Sequence, residues 1–377
     1  MSEVSERYQR QTILPGIGSE GQQKLLQSRV LLIGAGGLGS PAALYLASAG
    51  VGCIGIAERD VVEWSNLHRQ ILFHETDVGR SKLEVARKRL YDLNRQVRVE
   101  MIEGGIRPDN ACEVVARYDL VLDGSDNFGT RYLVNDACRL QGIPLIHGGI
   151  DRFSGMVTLL NANADTPCYR CLFPNPPAPG KIRNCAEAGV LGPLPGIVGS
   201  VMAMEALKYI LGIGESLSGK IATYDALTAQ SRLVRIKRSV HCPLCGENPK
   251  IRSIRAEVYQ LLDTGCVIKN SIMEEITVNE LVERLKQQPA PVLLDVREDD
   301  EVAFCALKDI VHIPLGEISE RWQQLDPQQD IVVYCHHGRR SLMATRFLRE
   351  KGFSRAVSLK GGIDEWSREI DATVPRY

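Results

Sequence analysis

Charge of one sign is missing from this chain: 45 Lys and Arg stand against 46 Asp and Glu, a formal net charge of -1. No basic run or acidic tail breaks that balance, which argues against nucleic acid or a membrane surface as the main partner. Long hydrophobic runs are missing too. The longest contain glycine and fall short of a bilayer span. The N-terminal MSEVSERYQRQ is polar and lacks a signal-peptide pattern, so a cytoplasmic location is expected. No internal repeat or low-complexity tract is present. What remains is an ordinary globular composition, 44% apolar and 24% charged, over 377 residues. That length exceeds what one hydrophobic core usually serves, so two domains are expected.

Cysteine is plentiful, with eleven residues. In a large chain without secretory signals these predict metal ligands and reactive thiols before disulfides. Cys168 with Cys171 and Cys242 with Cys245 form two C-x-x-C pairs, while Cys185 and Cys335 sit alone in loops. Cys53, Cys112, Cys138, Cys266 and Cys305 have no motif around them and read as small buried or incidental residues.

Residues 29–57 read as a βαβ unit: the aliphatic RVLLIG, a Gly-rich turn opening a helix, then CIGIAE. Further apolar runs at 119–123 and 143–147, with a helical stretch at 80–93, describe an open, mostly parallel α/β sheet. Residues 174–195 are rich in proline and glycine and predict a long loop, followed by a helix over 197–211. The first domain is expected to span 1–250 and a linker 251–273. A second α/β unit, 274–377, opens with the amphipathic ITVNELVERLKQ and contains the buried runs VLLDVRE and IVVYC.

The turn Gly34-Ala-Gly36-Gly-Leu-Gly39 matches G-x-G-x-x-G between a strand and a helix. Glycines there let the backbone approach a phosphate held on the helix N-terminus. Glu58 ends the next strand, about twenty positions on, where an acidic residue meets the ribose. Taken alone, this motif also fits a nicotinamide-dependent oxidoreductase. The residues that follow suit a triphosphate with magnesium better. Asp60, Ser65, Asn66, Arg69 and Gln70 come after the second strand, and Lys82 precedes a helix. Asp126 and Asn127 follow DLVLD. Cations offset charge developing on phosphates, and Asp126 can bind the metal.

Two C-x-x-C pairs supply four thiolates, the closed tetrahedral set of a structural zinc site. Redox activity of either pair is the alternative.

The segments RYQRQ, GAGGLGSP, SNLHRQ, VGRSK, DGSDN, CYRCLFP, CAEAGVLGP and CPLC, in order over about residues 5–250, resemble the adenylyltransferases of molybdopterin and thiamine biosynthesis. Those are bacterial relatives of ubiquitin-activating enzyme. The resemblance implies a Rossmann-like adenylation domain, a homodimer, and ATP-dependent activation of the Gly-Gly terminus of a ubiquitin-like sulfur carrier. It implies that Gly37, Gly39 and Glu58 bind nucleotide, that Arg69 and Lys82 contact phosphates, and that Asp126 binds magnesium. Arg10 is implied to reach the phosphates of the other subunit. Glu58 departs from the aspartate usual in that family.

Cys335 follows a buried strand and opens the loop Cys335-His-His-Gly-Arg339-Arg340 before a helix. Helix N-terminal amides with Arg339 and Arg340 can stabilise a thiolate or persulfide. With Asp295-Val-Arg297 upstream, residues 276–377 resemble a rhodanese domain, although 305–310 (CALKDI) departs from its usual pattern. The resemblance implies that Cys335 takes sulfur from a donor such as a cysteine desulfurase or thiosulfate. Cys185 lies where relatives carry a cysteine proposed to react with the activated carrier. It is read as a thioester acceptor or as the thiol that resolves an acyl disulfide, with a passive loop thiol as the alternative. A carrier-activating or conjugation factor with a docking-only second domain is the alternative for the whole chain.

Overall fold

Aliphatic runs become strands, and the segments between them become helices and turns. The structure, a computed structural model, describes residues 6–176, 189–256, 259, 275–286 and 288–376. It divides into two compact units, residues 1–268 and 269–377.

In the first unit, β1 (Arg29–Ile33), β2 (Cys53–Glu58), β3 (Arg98–Glu103), β4 (Leu120–Asp123) and β5 (Leu145–Asp151) are parallel. The sheet continues antiparallel through β6 (Ser154–Leu160), β7 (Lys220–Asp225) and β8 (Gln230–Arg235). The order is β3-β2-β1-β4-β5-β6-β7-β8. Every residue of β2 and β4 is buried, as strands covered on both faces require. Alternate side chains enter two cores: Val30 and Leu32 pack on one face, Leu31 and Ile33 on the other.

Helix α1 (Gly39–Ala49) follows β1, α2 (Lys82–Leu93) precedes β3, and α3 (Phe128–Gln141) follows β4. Helix α4 (Pro193–Leu211) begins earlier than the apolar pattern suggests, with proline in its first turn, where a missing N–H costs nothing. It is long and apolar enough to cross a membrane by length and composition. Within this unit it is a core helix. Leu194, Val198, Met202 and Ala206 join the main core, and buried Glu205 pairs with Lys208 at 2.6 Å.

The region after 250 does not leave the first unit at once. Ile254 packs against its core, and Tyr259 is buried and donates to Asp136 Oδ2 at 2.6 Å.

The second unit is a five-stranded parallel sheet, β11 (Ile310–His312), β10 (Val292–Asp295), β12 (Ile331–Tyr334), β13 (Ala356–Leu359) and β9 (Glu275–Ile276), in that spatial order. Its helices include α5 (Val278–Leu285), α6 (Asp299–Phe304), α7 (Arg339–Glu350) and α8 (Gly362–Glu369). Thr277 and Glu280 form a reciprocal capping box that starts α5.

Candidate functional site

Strand order reverses between β1 and β4, and a pocket opens at the carboxyl ends of the strands there, where open α/β sheets bind ligands. Gly34 leaves β1 with a φ of 84°, which a side chain would strain. Gly39 permits the turn to close: a Cβ on it would lie 2.0 Å from the Gly34 carbonyl oxygen. Gly39 therefore acts through packing.

Gly37, Glu58, Asp60, Arg69, Gln70, Lys82, Asp126 and Asn127 line this pocket. Ser65 and Asn66 do not. They organise the turn beneath it, Ser65 Oγ donating to Glu63 Oε2 at 3.1 Å and Asn66 O accepting from the amides of Arg69 and Gln70. Arg10 is exposed on a short helix, Gln9–Thr12, outside the pocket wall. Cys185 lies outside the described residues, as does much of the Pro/Gly-rich segment around it.

The Glu58 carboxylate folds back onto the turn. Its Oε2 accepts from Ala35 N at 3.0 Å, and its Oε1 from Arg59 N and Asp60 N at 2.8 and 3.1 Å. Lys82 is buried and faces Asp60 at 3.5 Å. Gln70 Oε1 and Ser125 Oγ are buried on pocket-lining residues and have no hydrogen-bond partner among the described residues. Such orphaned polar atoms are costly and fit a site completed by a polar ligand. Asp126 is exposed on the pocket wall, in no hydrogen bond or ion pair among the described residues, which leaves its carboxylate available to a hard cation.

Beneath Asp126, Asp123 is fully buried, accepts from Ser125 N at 3.0 Å and faces His147 Nδ1 at 3.0 Å. Burial pushes its carboxyl up, but the hydrogen bond and charge of His147, with the Ser125 contact, hold it below the usual value.

Sequence reasoning passed over Arg59, Ser125, Arg131 and Arg152, and the Gly104-Gly105 turn after β3, all in the pocket wall. The Gly-Gly pair at a strand end was a usable signal. The arginines were not, because nothing local distinguishes them from surface charge.

The four cysteines of the two C-x-x-C pairs converge, every sulfur within 4.8 Å of the others. The contacts Cys168–Cys171, Cys168–Cys242 and Cys171–Cys245 measure 3.8, 3.5 and 3.3 Å. Four sulfurs about 2.3 Å from one tetrahedral ion would stand roughly 3.8 Å apart, so the set fits zinc. Hydrogen bonding among the crowded thiols pushes Cys168 well up and holds Cys171 well down. Arg170, between the first pair, is buried and forks onto Asp136 at 2.8 and 2.7 Å.

In the second unit Cys335 is buried at the end of β12. Its Sγ accepts from Gly338 N at 3.2 Å and faces the buried Ser341 hydroxyl at 3.6 Å. The loop's own carbonyls are turned away: Cys335 O and His336 O accept from Ile363 N and Asp364 N at the start of α8. Of the loop amides, that of Gly338 is turned to the sulfur. Arg339 is exposed, and Arg340 forms a two-pronged pair with Glu301 at 2.5 and 2.6 Å. Donors to the sulfur thus include a loop amide, as the sequence suggested, and the Ser341 hydroxyl, which it did not. At the segment that departs from the rhodanese pattern, the buried Asp295–Arg297 pair (2.6 Å) reaches over, and Arg297 Nη2 donates to Cys305 O at 2.8 Å.

A ThiF family model matches residues 8–244 and a rhodanese-like domain model matches 277–369. The chain is 41% identical to the probable adenylyltransferase/sulfurtransferase MoeZ of Mycobacterium tuberculosis, over 98% of this chain and 95% of that protein. It is 36% identical to the adenylyltransferase and sulfurtransferase MOCS3 of Arabidopsis thaliana, covering 98% and 85% respectively. The sulfur carrier protein adenylyltransferase of Thermus thermophilus is 52% identical over 67% of this chain and 94% of its own length. Among solved structures, E. coli MccB with ATP superposes with a TM-score of 0.57 at 25% identity, covering 63% of this chain and 74% of that one.

Proposed function

The chain belongs to the ThiF family and carries a rhodanese-like domain, and from that premise we propose that it activates and thiolates a ubiquitin-like sulfur carrier. It is an adenylyltransferase and sulfurtransferase. The carrier's C-terminal glycine carboxylate attacks the α-phosphate of ATP, pyrophosphate leaves, and an acyl adenylate forms. A poor electrophile thereby gains AMP as a leaving group. The terminal sulfur of a Cys335 persulfide attacks the acyl carbon and displaces AMP, which gives an acyl disulfide. A second thiol then attacks the Cys335 sulfur. The carrier departs as a thiocarboxylate, and a disulfide remains on the enzyme.

One observation carries the reading: a single chain holds both a pocket at the sheet's switch point, lined by the Gly-rich turn, Glu58 and Asp126, and a buried thiol that accepts from the Gly338 amide. Arg69 and Lys82, which line the pocket, would contact the phosphates, and Asp126 would hold magnesium, which offsets charge on the leaving pyrophosphate. Gln70 and Ser125 gain partners when the pocket fills. Cys168, Cys171, Cys242 and Cys245 would hold zinc in a closed shell with a structural role. Free thiols kept as ligands fit a reducing, cytoplasmic compartment. The second thiol is Cys185 or an external dithiol, and the sulfur donor is a cysteine desulfurase or thiosulfate. A homodimer is part of the reading, with Arg10 reaching the partner's phosphates. It is supported by the exposed apolar face of α4, where Ile197, Val201 and Met204 recur at helical spacing.

Incubation with ATP, magnesium, a sulfur donor and each candidate Gly-Gly carrier, followed by mass measurement, tests the proposal. One carrier should exchange an oxygen for a sulfur at its terminus. If every carrier is returned unmodified and no pyrophosphate forms, the proposal is wrong.

A further inference from the structure

Two independent features single out Arg152. The first is its backbone. Asp151 pairs with Ser154, which leaves Arg152 and Phe153 as the two-residue turn of the β5–β6 hairpin. Arg152 takes a φ of 51° there. Tight hairpin turns need positive φ at the first central position, and glycine meets that need without strain. Among the described non-glycine residues, only Asn161, Ala229 and Asp309 share this conformation, and Asn and Asp tolerate it through local hydrogen bonds. A long cation holding a glycine position is a cost, and such costs collect where a side chain is needed.

The second feature is its surroundings. Arg152 lines the nucleotide pocket, yet its exposed guanidinium has no hydrogen bond or ion pair among the described residues. The pocket's other cations are mostly committed: Arg69 to Ser65 O, Lys82 to Asp60 and Arg131 to Ser125 O. Arg59, also without a side-chain partner among the described residues, sits beside Glu58 at the ribose end.

Position then decides the ligand. The pocket runs from Glu58 at the end of β2, past the end of β1 and Asp126 in the turn after β4, to Arg152 beyond β5. That is three strand spacings, on the order of 14 Å. A nucleotide with its ribose at Glu58 and its phosphates near Asp126 leaves the β5 end for the second substrate. The group that must arrive there is a carboxylate, an anion approaching a polyanion. A guanidinium offsets that repulsion, and its planar fork matches a carboxylate.

We propose that Arg152 binds the free C-terminal carboxylate of the incoming carrier tail and aims it at the α-phosphate. This rests on the adenylation reading above. Once the acyl adenylate forms, the charge recognised by Arg152 is gone, so the residue selects for an unactivated acid terminus.

The test is a cycle on the full-length protein. A Gly-Gly carrier that supports pyrophosphate exchange is prepared with its terminus free or amidated, and binding of each is measured by calorimetry. Wild type should prefer the free acid by about tenfold or more. Arg152→Gly should bind both forms alike while melting no lower than wild type, because glycine is at ease at this φ. Arg152→Lys should keep part of the preference. If Arg152→Gly retains the wild-type preference, the assignment of Arg152 fails while adenylation stands. If wild type shows no carrier-dependent exchange at all, the adenylation reading fails first and takes this inference with it.

Discussion

At the end of β2 the Glu58 carboxylate takes three backbone amides, from Ala35, Arg59 and Asp60, and so fastens the Gly-rich turn to the neighbouring strand. Shortening it by one methylene withdraws the carboxylate by about 1.5 Å and strands the Ala35 amide. Glu58→Asp should therefore lower unfolding free energy by about 1–2 kcal/mol and raise the KM for ATP, read by denaturant melts and pyrophosphate exchange. Asp126 offers the opposite case. It is exposed and bonded to nothing described, so Asp126→Ala should leave stability within about 0.5 kcal/mol. Its loss should cut exchange by about a hundredfold or more, because a cation that offsets phosphate charge loses its ligand. Full exchange in Asp126→Ala would show that another group holds the metal. The two carboxylates lie in one pocket and differ in what they touch, and the paired measurements separate anchor from ligand.

The four-cysteine cluster joins a single helical turn, Tyr169–Leu172, to the loop around 242–245, and those pieces have only a small core between them, with Leu244 and the flanking Leu140 and Ile251. A metal is expected to supply the missing stability. Native protein should contain about one zinc per chain, and strong chelation should lower the melting point and expose this segment to protease. Metal-free protein of unchanged melting behaviour would remove the structural role. This cluster was legible in sequence because ligand spacing is local within each pair. The Gly-rich turn, β1, β2 and β4 were legible for the same reason, since their apolar runs and breakers lie within a few residues. The antiparallel extension β6–β8 was not, because β8 is exposed throughout and carries no buried-face pattern. Nor was the Arg340–Glu301 pair, whose partners lie 39 residues apart and meet only through the parallel sheet's crossover. Ser341, on the first turn of α7 behind Cys335, reads in sequence as any helix-start serine. Only the fold puts its hydroxyl against the sulfur.

Across the molecule, chemistry is divided between two units, and the division has a definite place in the chain. Tyr259 donates to Asp136 beside Arg170, and Ile254 packs on the same core, so the first unit needs residues beyond 250. A chain ending at 268 should keep carrier-dependent pyrophosphate exchange. One ending at 250 removes a partner of the buried Asp136 and should be about 1–3 kcal/mol less stable. Neither truncation should yield thiocarboxylate. Full-length Cys335→Ala should behave like the longer truncation, forming acyl adenylate and releasing pyrophosphate while the carrier gains no sulfur. The reason is that Cys335 Sγ sits under the Gly338 amide and Ser341 hydroxyl, a setting that holds an anionic sulfur, and adenylation uses no residue of this loop. Mass measurement after incubation with a persulfide donor reads both halves at once: the enzyme for added sulfur, the carrier for its terminus. Sulfur appearing on the carrier made by Cys335→Ala would mean that another thiol bears it, and the second unit would then be left with docking alone.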